Sequence, residues 1–135
     1  MIKTLKTMAI AAVLLAFAGL IAAQAPALKR TIVTKADVSV PNREAVVVRA
    51  EISPGGEAGW HTHPGDEISY ITDGEATLLV AGQPPRKVAA GDSFVIPAGV
   101  VHNGRNEGAG ALKIIGVYVV EKGKPLASPA LAPAP

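Results

Sequence analysis

The chain reads as an all-β protein whose strands close into a single barrel or jelly roll. Three observations predict this. From Leu28 onward the apolar residues come in short β-branched runs broken by Gly, Pro, Asn and Asp, the pattern of short strands. No segment there sustains a helical period. The 135 residues suffice for one core of ordinary size but not two, and about nine short strands protect their edges best by closing on themselves.

The N-terminus is set apart from that pattern. Lys3 and Lys6 precede an apolar run from Met8 to Ile21, followed by Ala23-Gln24-Ala25. Residues 1–25 therefore read as a secretory signal peptide, because a 14-residue run falls short of the roughly 20 residues a helix needs to span a bilayer. Pro26 sits badly after a cut at Ala25, which leaves an uncleaved membrane anchor as the alternative. The expected destination is the periplasm or the exterior. No twin arginine precedes the apolar run, so the chain is expected to travel unfolded and to acquire any metal outside the cytoplasm.

Nine strands are expected, at Thr31–Val40, Ala45–Ile52, Gly59–His63, Glu67–Thr72, Glu75–Ala81, Arg86–Ala89, Ser93–Ile96, His102–Arg105 and Leu112–Glu121. Together they make a single domain over residues 28–121. Asp73-Gly74 between two alternating runs reads as a two-residue hairpin. Gly82-Gln83-Pro84-Pro85 and Asn106 to Gly110 read as further turns. Residues 122–135, rich in Pro and Ala without an apolar period, read as a tail without fixed structure.

Composition removes several classes of function. With no cysteine, disulfides, thiolate metal sites and thiol nucleophiles are excluded. Once Lys3 and Lys6 are set aside, eleven Lys and Arg balance eleven Asp and Glu. A neutral domain without a basic cluster offers no footprint for nucleic acid and no stable membrane association after cleavage. One Trp, two Tyr and a single Phe beyond the leader are too few for an aromatic sugar platform, so a small aliphatic pocket is expected.

The chemistry concentrates in His61-Thr62-His63-Pro64-Gly65-Asp66-Glu67. Alternation along a strand sends His61 and His63 to one face and Trp60 and Thr62 to the other. Pro64-Gly65 then bends the chain so that Glu67 returns toward the same interior, and His102 follows a Pro97-x-Gly99 turn at the head of another strand. These are the chain's three histidines. Imidazole with carboxylate is a donor set for Mn, Fe, Ni, Cu or Zn where no thiolate is present.

At ten defined positions the chain resembles the cupin superfamily, in particular small single-domain cupins of the quercetin-dioxygenase-like kind. Gly55, His61, His63, Glu67 and Gly74 match the first cupin motif, and Gly91, Pro97, Gly99, His102 and Asn106 match the second, with sixteen residues between the two. The resemblance implies a double-stranded β-helix in which His61, His63, Glu67 and His102 bind one divalent ion, with Fe or Mn favoured and Zn, Ni or Cu as alternatives. It also implies an open coordination position and a small anionic, enolic or phenolic guest. Glu67 is read chiefly as a ligand, with a second role as a base when it leaves the metal.

Parity from Glu67 puts Ser69 and Ile71 inward as pocket wall and Ile68 and Tyr70 outward. Phe94 and Tyr118 are read as core, Asn106 as a structural turn residue, Glu57 and Asp66 as solvated carboxylates, and Trp60 as packing or interface. The outward apolar residues Ile68, Tyr70 and Trp60 lead us to expect a homodimer. Two functions are weighed: an oxygenase-type enzyme, and a non-catalytic small-ligand module or redox-neutral isomerase or lyase on the same scaffold.

Overall fold

The computed structural model describes residues 27–134; the signal-peptide reading lies outside the described residues. The chain forms two five-stranded sheets that face each other. One has the order β1 (Leu28–Asp37), β2 (Arg43–Ile52), β9 (Leu112–Glu121), β4 (Gly65–Asp73), β7 (Ser93–Ile96). The other runs β10 (Ser128–Pro129), β3 (His61–Thr62), β8 (His102–Arg105), β5 (Glu75–Val80), β6 (Arg86–Ala89). Every pairing is antiparallel.

Sequence alternation decides which residues the sheets enclose. Along β4, Gly65, Glu67, Ser69 and Ile71 are buried while Asp66, Ile68, Tyr70 and Thr72 are exposed, as a period of two requires. β2 buries Glu44, Val46, Val48 and Ile52 in the same manner. The enclosed apolar side chains fall into two clusters, one around Ile52, Ile71, Leu78 and Leu112, the other of Val46, Val48, Tyr118 and Val120. Each fully buried aliphatic side chain contributes about 1.5–3 kcal/mol relative to exposure.

Four expectations need correction. β1 begins at Leu28, three residues before the expected Thr31, and stops at Asp37. The chain then bends through Val40 to Arg43, where Asn42 takes a positive φ of 59° and Arg43 N donates to Val40 O. Asp73-Gly74 is not a hairpin. β4 and β5 belong to different sheets, so this dipeptide is a corner between them. Only Gly74 has positive φ, at 81°, and a Cβ there would stand 2.7 Å from Ala111 O, so the turn is shaped by the close approach of the segment entering β9. Consecutive strands pair directly at β5 and β6, across Gly82 to Pro85, and at β1 and β2.

The expected strand Gly59–His63 shrinks to His61–Thr62, and a tenth strand appears in the tail. Residues 126–130, expected to lack fixed structure, lie against β3. Ser128 and Pro129 pair with Thr62 and His61, Ala130 N donates to Trp60 O at 2.9 Å, and Leu126 packs on the cluster of Val46, Val48, Tyr118 and Val120. Leu126 is the apolar anchor that a composition dominated by Pro and Ala conceals.

Candidate metal centre

The barrel brings His61, His63, Glu67 and His102 together from three places. His61 and His102 are direct cross-strand partners on β3 and β8, so their imidazoles leave one sheet side by side, ring centroids 4.2 Å apart. Glu67 comes from β4 in the facing sheet, where it pairs with Ile96 on one side and Tyr118 on the other. His63 sits between, in the crossing from β3 to β4.

That crossing is tightly fixed. Gly99 N donates to His63 O at 3.0 Å, and Pro64 O accepts from both Arg43 Nη1 and Glu121 N. A side chain at Gly65 would place its Cβ 2.0 Å from Val119 O, so only glycine lets β4 start against β9. Asn106 fastens the other end. Its Nδ2 donates to Ile52 O and Gly110 O, its Oδ1 accepts from Gly108 N, and its backbone exchanges bonds with Gly55 and Gly56. Asn106 is therefore structural, as expected.

All four side chains are buried, with their candidate donor atoms within 4.8 Å of one another. In each histidine Nδ1 faces a backbone carbonyl: Gly59 O at 2.7 Å for His61, Val100 O at 2.9 Å for His102 and Leu126 O at 2.6 Å for His63. A carbonyl only accepts, so Nδ1 carries a proton in all three rings, and the tautomer this fixes for a neutral ring presents its lone pair at Nε2. Nε2 of His63 and of His102 lie 2.9 and 3.0 Å from the same oxygen, Glu67 Oε2. His63 Nε2 is within contact distance yet not aligned for a hydrogen bond, and it is buried without a partner.

Lone pairs packed against a carboxylate oxygen repel unless a proton or a cation lies between them. Burial works against a second proton on His61. It lowers His61 to about 4, partly offset by the bond to Gly59 O, with further lowering from His102, His63 and the Arg30 charge. Glu67 stays ionised. Burial alone would raise its pKa, but donation from His102 and His63 whenever their Nε2 atoms carry a proton, together with the Ser69 hydroxyl at 2.6 Å, outweighs it and holds the carboxyl below its ordinary range. Three imidazole nitrogens with one carboxylate are a donor set for a divalent ion, and their donor atoms already lie within 4.8 Å of one another.

A cavity of about 50 Å3 opens beside His61, Glu67 and His102. Leu28, Ile52, Leu78, Phe94 and Ile114 give it apolar walls, and Tyr118 and Arg30 add polar groups. Larger hollows of about 360 and 460 Å3 lie among surface side chains such as Lys29 and Arg49, or Lys87 and Glu107, away from the histidines. Tyr118 stands over His63, ring centroids 4.7 Å apart. Burial and the Glu67 charge raise its pKa, so its hydroxyl stays protonated. A Cβ at Gly116 would meet that ring at 2.8 Å, so the missing side chain makes the room Tyr118 occupies.

The expected pocket wall is corrected here. Ser69 and Ile71 do point inward, but neither lines the cavity. Ser69 spends its hydroxyl on Glu67 Oε1 and Ile71 is fully buried in the core. Phe94 and Tyr118, read as core, do belong to the apolar clusters and line the cavity as well. Trp60 is half-buried and outside it. Glu57 takes bonds from Asn103 and Arg105, and Asp66 accepts from Ala98 N, so each exposed carboxylate ties a loop to a strand. Arg30 escaped the sequence reading, although a lone charge in Leu28-x-Arg30-x-Ile32, on the parity of two apolar residues, was its signal.

The family description "Cupin domain" matches residues 48–120. The chain belongs to the cupin family. A structure described as an uncharacterized conserved protein with a double-stranded beta-helix domain, from Klebsiella pneumoniae, superposes with a TM-score of 0.61 at 25% identity, over 75% of this chain and 84% of that one. The cupin is 37% identical over 84 residues to an acireductone dioxygenase of Rhodopseudomonas palustris, covering 56% of this chain and 50% of the relative. It is 44% identical over 43 residues to the dimethylsulfoniopropionate lyase DddQ of Ruegeria pomeroyi, covering 32% and 21%. The chain thus spans half or less of these curated relatives.

Proposed function

We propose that this cupin is an exported metal-dependent enzyme of oxygenase type, in which His61, His63, Glu67 and His102 hold one divalent ion and a small anionic, enolic or phenolic molecule is the substrate. The observation that carries the reading is the inward set of three Nε2 lone pairs around Glu67 at the end of a small cavity. Fe or Mn, when bound, would supply a Lewis acid for an anionic oxygen and a means of handling dioxygen.

The chain's own residues do the rest. The bonds to Gly59 O, Leu126 O and Val100 O keep the three rings in one tautomer and orientation. Ser69 holds Glu67 Oε1, which leaves Oε2 facing the imidazoles. A carboxylate held ionised is a poor base, so the ligand role of Glu67 is favoured over proton abstraction. Phe94, Ile52 and Leu78 keep water from the cavity, and the Tyr118 hydroxyl is a donor for an oxygen of the guest. The likeness to an acireductone dioxygenase supports oxygen chemistry.

The segment shared with the lyase favours a second reading, a redox-neutral reaction in the same cavity. Dioxygen uptake by the Fe- and Mn-loaded protein with a panel of enolic and phenolic compounds separates the two. Uptake that depends on His102 supports the oxygenase. Turnover without uptake supports the second reading, and no turnover with any metal supports a ligand-binding module. A homodimer completes the proposal, formed through the outer face where Ile68 pairs with Val95 beside Tyr70, all exposed. A monomeric mass at micromolar protein contradicts it.

A further inference from the structure

Arg30 is the unexpected group at this site. It stands on β1 in the row Arg30, Ala50, Ile114, Ile71, crossing β1, β2, β9 and β4 on the enclosed side of the sheet. The rest of that row is aliphatic. A guanidinium in an otherwise aliphatic row needs a reason: its stem packs along apolar surface while its head stays at the solvent edge, free to meet a partner. Among the described residues Arg30 makes neither an ion pair nor a side-chain hydrogen bond.

Its position supplies the reason. Of the residues that line the histidine cavity, Arg30 alone is exposed, and the others are buried or half-buried. It therefore marks the mouth. Its side chain borders the same cavity that His61, Glu67, His102 and Tyr118 line. The cavity of about 50 Å3 has room beside the cluster for only a few heavy atoms, since liquid water takes about 30 Å3 per molecule. A guest held by the cluster must extend toward the mouth.

We propose that Arg30 reads a carboxylate on the guest of this site, so that the substrate is a small acid with its carboxylate at the mouth and a second oxygen directed at His61, Glu67 and His102. The proposal rests on the metal-centred reading above and narrows it from anions in general to carboxylates. Guanidinium and carboxylate match as planar, two-point partners, and the surrounding Leu28 and Ile114 strengthen the pair by excluding water. The competing account makes Arg30 an inward charge that protects the free edge of β1 from pairing with other chains.

The test compares the full-length chain with Arg30→Gln and Arg30→Lys, loaded with Co(II) and also metal-free. The probes are 3-hydroxypropionate, which has a carboxylate and a separated oxygen, and azide, which has only the anionic end a metal ion would take. Binding is read from the cobalt visible spectrum and, without metal, from the amide shifts of β1. Arg30→Gln is expected to weaken 3-hydroxypropionate by about tenfold, as for a partly desolvated charge pair, to leave azide within about twofold, and to be partly rescued by Arg30→Lys.

Equal loss of both probes, or no loss of either, overturns the proposal. So does unchanged affinity together with a new tendency of Arg30→Gln to self-associate, the signature of an edge guard. Failure of the wild type to take up cobalt counts against the metal reading alone. The metal-free titration then still decides Arg30, because a guanidinium binds a carboxylate without the ion, and no shift there overturns the proposal.

Discussion

His61 and His102 are aimed by carbonyls two residues upstream of themselves, whereas His63 is aimed by Leu126, 63 residues away. The two local cases are built into the strand segments that carry the rings. The third depends on a tail that must first dock its Leu126 side chain on Val46, Val48, Tyr118 and Val120 and pair Ser128 and Pro129 with β3. The difference teaches that a metal-binding motif can encode the orientation of a ring only where the acceptor is a near neighbour in sequence. The rest of this centre is completed from the far end of the chain.

The largest expected effect comes from breaking the distant side of the comparison. A chain ending at Lys122 loses the Leu126 carbonyl, and its metal affinity should fall by about 10–100-fold, the usual cost of removing an acceptor that orients a ligand histidine. An unchanged dissociation constant would show that the tail is only a cover. Ser69→Ala comes next. Removing the hydroxyl at 2.6 Å from buried Glu67 costs about 1–3 kcal/mol. Because that bond helps to hold the carboxyl down, the midpoint of acid-driven metal release should move to higher pH. A midpoint unchanged or lowered would contradict the role given to Ser69.

Acid also tests the cluster without metal. The folded His61 lies at about 4 against an ordinary 6.5, so between those values the unfolded chain binds more protons and stability must fall as pH is lowered. Glu67, held below its ordinary range, adds stability above about 4.5 that is lost on further acidification. The thermal midpoint of the metal-free protein should therefore drop from pH 6.5 downward, and His61→Gln should flatten the upper part of that drop. A flat wild-type curve would be inconsistent with buried neutral imidazole. The smallest effect is expected of Leu126→Ala, which keeps the carbonyl but weakens its anchor. Loss of a few-fold in metal affinity, below that of the truncation, sharpens the contrast between anchor and acceptor, and a loss as large as the truncation would mean that docking alone is what matters.

The sequence made much of this legible, for physical reasons. β6, β7, β8 and β9 begin and end where alternation and turn residues place them, and the four residues that the two motifs single out do meet in the interior. Parity also sent Ser69 and Ile71 inward correctly. It says nothing of depth, so neither could be told from a cavity wall. Asp73-Gly74 resembled a hairpin because a local signal does not reveal which sheet the next strand joins. The tail was misread because its docking rests on one leucine meeting a surface assembled from β2 and β9, a property of the tertiary fold. Tyr118 escaped notice as a cavity residue because the space for its ring is made by the absence of a side chain at Gly116.

The central claim is that three inward imidazoles and Glu67 form a site for one divalent ion. Elemental analysis of the protein from its native compartment, beside His61→Ala, tests this most directly. The account predicts about one equivalent of a divalent metal per chain, the single-ion load expected of one such donor set, with most of it lost in the variant together with a lower thermal midpoint. Equal metal content in the two proteins, or none in the wild type when it is supplied with Fe, Mn and Zn, would contradict it.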